Sequence, residues 1–82
     1  MYSDLLEGEP ILMPYQSKPF NNDSFVAEEF LKLKEKFAIK KVIECGSCVG
    51  GTTKWLSKNF EKVTTIEINP DFLKFCFIRT KD

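Results

Sequence analysis

Histidine is absent from the 82 residues, which removes the commonest general base and metal ligand near neutral pH. No apolar run approaches the roughly 20 residues of a membrane span. The start, Met1-Tyr-Ser-Asp-Leu-Leu-Glu-Gly-Glu-Pro10, has neither the basic region nor the apolar stretch of a secretion signal. These absences lead us to expect a cytoplasmic chain with no membrane partner. Cysteine is sparse and odd in number, at Cys45, Cys48 and Cys76, which fits free thiols in a reducing compartment better than a disulfide scaffold. Net charge is also missing, because twelve Lys and Arg balance twelve Asp and Glu. No global field attracts polyanions, so nucleic acid is not an expected partner. Lys32, Lys34, Lys36, Lys40 and Lys41 form a local basic cluster, read as a solvated helix end where cations suit the negative end of the helix dipole.

What is present is the composition of an ordinary globular chain, 43% hydrophobic and 29% charged. The length admits one small domain, near the size where a core only marginally outweighs chain entropy. Residues 1–22 read as an N-terminal arm, because Gly8, Pro10, Pro14, Pro19 and Asn21-Asn22 interrupt any regular period. The arm nonetheless holds Ile11, Leu12, Met13, Tyr15 and Phe20, enough apolar surface to lie against something. Residues 23–82 read as the domain itself.

Asp23 or Ser24 can cap a helix running to about Phe37, with Val26, Phe30, Leu33 and Phe37 on one apolar stripe expected to face a sheet. Glu28 and Lys32 are spaced for an i, i+4 ion pair. Lys41-Val-Ile-Glu-Cys45 is a β-rich run ended by Gly46, and a helical stretch follows over about residues 51–59. A second β-branched run, Val63-Thr-Thr-Ile-Glu-Ile68, leads to Asn69-Pro70-Asp71, which supplies a cap, a first-turn proline and an acid for a further helix. The order β-α-β-α predicts an α/β fold with parallel strands. The last stretch, Phe72-Leu-Lys-Phe-Cys-Phe-Ile78, is apolar at every position but Lys74. A helix apolar all round needs burial all round, and two strands with three short helices cannot provide it. The sheet is therefore expected to be completed by homo-oligomerisation or by a second polypeptide.

The segment Val42-Ile-Glu-Cys-Gly-Ser-Cys-Val-Gly-Gly-Thr-Thr53 places an acid near the end of the first strand and follows it with glycines at 46 and 50. It resembles motif I of the class I, Rossmann-like, S-adenosylmethionine-dependent methyltransferases, in the form E-x-G-x-x-x-G. The resemblance continues through Val63-Thr-Thr-Ile-Glu-Ile-Asn-Pro70, similar to the family's second strand with its terminal acid, and covers roughly residues 25–74. It implies a Rossmann-like fragment corresponding to the front third of a usual family domain, so the chain is expected to stop short of a whole enzyme.

The resemblance implies S-adenosylmethionine as cofactor and Glu44, Gly46, Ser47, Gly50, Thr52, Glu67 and Ile68 as its binding residues. Glycine permits the sharp dihedrals and close approach that expose backbone amides to a ligand. The amides opening the next helix, with the hydroxyls of Thr52 and Thr53, suit a carboxylate such as the methionine end. Glu67 falls 21 positions after Gly46, at the end of the next parallel strand, where a carboxylate can accept hydrogen bonds from both ribose hydroxyls. Ile68 would cover one adenine face. A dinucleotide fits less well, because its fingerprint needs glycine where Cys48 stands and because Glu44 would repel a pyrophosphate. The family's catalytic residues lie after later strands, and nothing here corresponds to them.

Two readings from other classes stand beside this one. The chain could be a non-catalytic interaction module that docks a partner through its apolar carboxyl end. Alternatively, Cys45-Gly-Ser-Cys48 is a C-x-x-C at a strand-to-helix junction, as in thiol redox modules. Against the latter, Cys45 shares the strand parity of Ile43 and is expected to point into packing. A zinc site would need a fourth ligand beside the three cysteines.

Overall fold

In the computed structural model, which describes residues 4–81, a 3-10 turn at Pro19–Asn22 precedes three helices and two strands. In chain order they are α1 (Ser24–Phe37), β1 (Lys41–Cys45), α2 (Gly51–Asn59), β2 (Lys62–Ile66) and α3 (Pro70–Thr80). The strands are parallel, Lys41 lying opposite Lys62 and Cys45 opposite Ile66. The result is a small α/β unit. No helix is long and apolar enough to cross a membrane among the described residues.

Local chemistry sets the helix boundaries. The Asp23 carboxylate accepts from the amides of Phe25 and Val26, and the Asn69 side chain accepts from those of Asp71 and Phe72. Each satisfies amide groups that the first helical turn leaves without a partner. α1 ends where Ala38 turns left-handed and its amide returns to the Lys34 carbonyl. The ion pair on α1 joins Lys32 to Glu29 at 3.3 Å, one residue away from the expected Glu28 partner.

The core is short: Val49, Leu56, Phe60, Phe75 and Cys76 are the buried apolar residues. It lies where α2 meets β2 and α3. Val42 and Glu44 on β1, with Val63 and Thr65 on β2, are half-buried, whereas Ile43, Cys45, Thr64 and Ile66 on the other face are exposed. Ile43 is 75% exposed. This corrects the expectation that Cys45 points into packing. Cys45 does share the parity of Ile43, but among the described residues no layer covers that face.

The α1 stripe does not reach the sheet either. Phe30 packs on Phe20 and Trp55, with ring centroids 4.7 and 6.3 Å away, while Leu33 and Phe37 remain exposed. On α3, Phe75 and Cys76 are buried but Phe77 is 72% exposed. The accessible surface, 5790 Å², exceeds the roughly 5,050 Å² that the scaling for compact monomers gives at this mass. Open apolar faces account for the direction of that excess.

The arm packs on its own domain. Phe20 stands edge-on to Trp55 at 5.3 Å, and its amide donates to the Thr52 hydroxyl at 2.8 Å. Deeper in, the Arg79 guanidinium pairs with Glu9, donates to the Val49 carbonyl, and reaches the Asp4 carbonyl at 3.2 Å. Gln16 completes the cluster. Its amide nitrogen donates to Glu9, and its amide oxygen accepts from Leu12 and Met13. Glu9, Gln16 and Arg79 are all buried, so the ends of the described chain are joined through the interior.

Candidate functional site

The glycine turn after β1 lies at the carboxyl end of both strands, where parallel α/β sheets place their ligands. Its backbone alternates in hand, with positive φ at Gly46 (+79°), Cys48 (+51°) and Gly50 (+91°). Cys48 occupies a left-handed position that strongly favours glycine.

Gly46 and Gly50 serve different needs. A Cβ on Gly46 would meet nothing within 4 Å, so space is open above it. A Cβ on Gly50 would stand 2.8 Å from the Cα of Cys76, so its lack of a side chain lets α3 approach. At Gly51 a Cβ would collide with the backbone of Gln16 to Lys18. These two glycines accommodate the chain's own α3 and arm.

The turn's amides are also engaged. Those of Gly46 and Ser47 point to the Ile66 carbonyl, at 2.7 and 3.4 Å, and that of Gly50 to the Ser47 carbonyl at 3.0 Å. The Cys48 amide donates to Glu67 at 2.7 Å, and the other Glu67 oxygen accepts from Asn69 at 3.0 Å. Glu67 thus clamps the turn to the end of β2. Each carboxylate oxygen has a second lone pair, so the clamp leaves acceptor capacity.

Glu44 lies half-buried under α2. The hydroxyls of Thr53 and Thr65 both donate to its Oε1, the latter at 2.9 Å. With Gly46, Ser47, Cys48 and Thr52, it lines a small hollow whose opposite wall is the arm, contributed by Met13, Gln16, Lys18 and Asn21. The volume is about 120 Å³. Ser47 is 4% exposed, and its Oγ is buried without a hydrogen-bond partner, the one such side-chain atom among the described residues. A buried hydroxyl without a partner costs about 1–3 kcal/mol, and with less than 1 Å² of its surface open the Ser47 Oγ lies behind the wall of the hollow.

Of the seven expected residues, Glu44, Gly46, Ser47 and Thr52 bound this hollow together. Glu67 is tied to it through the Cys48 amide. Gly50 packs on α3, and Ile68, 93% exposed, stands outside the hollow. Sequence reasoning missed the whole arm side, and with it the Glu9–Arg79 pair that holds the arm in place. A solitary arginine in an apolar helix was the signal available, because a buried guanidinium requires a partner.

The cysteines are free, with Cys45 exposed, Cys48 half-buried and Cys76 buried. Burial first, and then the nearby Glu67 carboxylate, push the Cys48 thiol above its ordinary value. Among the described residues, no three His, Cys, Asp or Glu side chains gather as a metal ion would require. A larger concavity of about 700 Å³ lies at the other end of the strands, between the last turns of α1 and α2. It contains none of the expected ligand residues and no orphaned polar atom. Lys34 there sits 5.6 Å over the Phe60 ring, in keeping with a solvated basic helix end.

Comparison with family models, with curated proteins and with solved structures finds no match to this chain in any of the three.

Proposed function

We propose that this chain binds S-adenosylmethionine at the turn after β1 and is the cofactor-binding portion of a methyltransferase-like protein, its sheet completed by another copy or another polypeptide. The observation that carries the proposal is the hollow that Glu44, Gly46, Ser47 and Thr52 bound together at the carboxyl end of the strands. The Glu44 carboxylate suits the cofactor's ammonium. The dinucleotide alternative would bring a second anion to the same place, and Coulomb repulsion opposes it.

Size decides how much of the cofactor enters. A water molecule's share of liquid volume is about 30 Å³, so 120 Å³ accepts the few atoms of an aminoacyl head and excludes adenosine. Drug-sized ligands take roughly 300–1,000 Å³. The nucleoside therefore extends outward over Gly46, where a side chain would meet nothing, toward Glu67. The free lone pairs of Glu67 accept the ribose hydroxyls.

One part of the sequence expectation fits less well. The turn amides are occupied, so they offer no ready cradle for the methionine carboxylate. Thr52 accepts from Phe20 but keeps its own hydroxyl hydrogen to donate. When bound, the cofactor supplies an electrophilic methyl group. The residues of this chain bind and orient the donor, and the acceptor and its catalytic groups belong to the completing surface. The exposed sheet face of Ile43 and Ile66 supports such completion, and equally favours a non-catalytic module that uses this face for docking. The elevated Cys48 thiol weighs against the redox reading, which needs a thiolate near neutral pH.

Isothermal titration of the purified chain with S-adenosylhomocysteine tests the proposal. Saturable binding at one ligand per chain, weakened at least tenfold by Glu44→Gln, is expected. No heat and no thermal shift at millimolar ligand would overturn it. Binding without methyl transfer in any assembly would favour the docking module.

A further inference from the structure

We infer that the open face of the sheet, carried by Ile43, Cys45, Ile66 and Ile68, is covered by the same face of a second copy of this chain, the two sheets stacking with their strands antiparallel. The inference deepens the completed-sheet part of the proposed function and rests on that part alone, not on the cofactor.

Exposure alternates along both strands. On β1, Lys41, Ile43 and Cys45 face outward, and on β2 so do Lys62, Thr64 and Ile66, with Ile68 continuing the pattern past the strand end. Ile66 is 52% and Ile68 93% exposed. The register sets Ile43 beside Thr64 and Cys45 beside Ile66, so the apolar side chains form one patch. A sheet face that meets water is normally polar. The surplus of accessible surface over a compact monomer of this mass, roughly 740 Å² by the same scaling, is close to the 800 Å² or so that each partner buries in a standard interface. One contact of that size is enough to remove it.

Charge favours a second copy and fixes its direction. Twelve cations balance twelve anions, so two copies meet without net repulsion, and a chain near zero net charge is prone to associate. The cations are unevenly placed. Lys40, Lys41 and Lys62 gather at the strand starts, and Lys41 lies opposite Lys62 on the open face. Among the described residues neither of these two has an ion-pair partner. Beyond the end of β2 stands Asp71, an exposed acid. Parallel stacking would set four ammonium groups against one another. Antiparallel stacking turns Lys41 and Lys62 of each copy toward the Asp71 end of the other. A two-fold axis between the sheets, perpendicular to the strands, gives this order and closes the assembly as a dimer.

Sedimentation velocity of the purified chain, without ligand, tests the inference. A concentration-dependent shift to twice the chain mass is expected. Ile43→Lys should weaken the dimer at least tenfold with unchanged far-ultraviolet circular dichroism, since Ile43 meets solvent in the single chain. Phe37→Lys, also exposed but on α1, should leave the equilibrium where it was. Alkylation of Cys45, exposed in the single chain, should be at least tenfold slower in the dimer than at dilution, and Ile43→Lys should restore the fast rate. Lys62→Glu should weaken the dimer; tighter association would show that the lysine ends meet and overturn the antiparallel order. A chain that stays monomeric at high micromolar concentration, as when a different polypeptide covers the face, would overturn the second copy. Equal weakening by Ile43→Lys and Phe37→Lys would overturn the assignment of the face. Because no ligand is present, failure here leaves the cofactor reading to its own titration.

Discussion

Replacing Glu9 by Gln removes one negative charge from the buried cluster and leaves the Arg79 guanidinium without its counter-ion. The side chains of this pair are 5% and 0% exposed, so water cannot compensate. Breaking a buried pair by removing one partner costs about 3–5 kcal/mol. At roughly 0.05–0.15 kcal/mol per residue, the whole chain has about 4–12 kcal/mol, so the substitution takes a large share. Each kcal/mol lowers the melting temperature of a domain this size by about 4–8 °C, and a fall of at least about 12 °C is expected. Urea denaturation followed by Trp55 fluorescence gives the assay, since Trp55 touches Phe20 of the arm and Phe30 of α1. The pH dependence should agree. Burial raises the Glu9 carboxyl, but hydrogen bonds from Arg79, the Leu6 amide and Gln16 outweigh it and hold the group below its ordinary value near 4.5. A depressed carboxyl contributes stability that is full above the unfolded value and is lost as pH falls through the folded one. The wild type should therefore lose stability below about pH 4.5 more steeply than Glu9→Gln. A change under about 1 kcal/mol in the variant, with parallel acid profiles, would show that the arm is not docked through this pair.

Other expectations follow from single contacts. Gly50→Ala should cost about 2–4 kcal/mol, because left-handed strain adds to overpacking against Cys76; denaturation curves matching wild type would refute the close approach of α3. Phe75→Ser should lose about 3 kcal/mol or more, whereas Phe77→Ser, exposed in the chain, should stay within about 0.5 kcal/mol unless a partner covers it. A large loss for Phe77→Ser in a monomeric sample would contradict the packing of α3. The pH–rate profile of Cys48 alkylation should have its midpoint above the ordinary value of 9.0, and Glu67→Gln should move it down. No movement would show that Glu67 does not act on the thiol.

How much of this was legible in the sequence depended on the range of the interaction. Helix starts at Asp23 and Asn69, and the β-branched runs at Val42-Ile43 and Val63 to Ile66, are set by neighbours in sequence, and the structure has them within two residues. Glu44 and Gly46 come together because five strand residues and a turn leave them few alternatives. The face of Cys45 was misjudged for a physical reason. Val42 and Ile43 make both parities of β1 apolar, and only coordinates reveal which one is covered. The Leu33 and Phe37 end of the α1 stripe likewise finds no sheet, because two strands are too narrow to reach it. Arg79 and Glu9 are 70 residues apart, and no local pattern could pair them. The arm's part in the hollow depends on that pair and was hidden with it.

The most direct test of the account is a paired measurement on Glu44→Gln. A glutamine oxygen can still accept from Thr53 and Thr65, so folding stability should change by less than about 1 kcal/mol, while affinity for S-adenosylhomocysteine falls at least tenfold. Stability that drops by more than about 1 kcal/mol with affinity unaltered would contradict the account, because the carboxylate would then belong to the fold and not to a ligand.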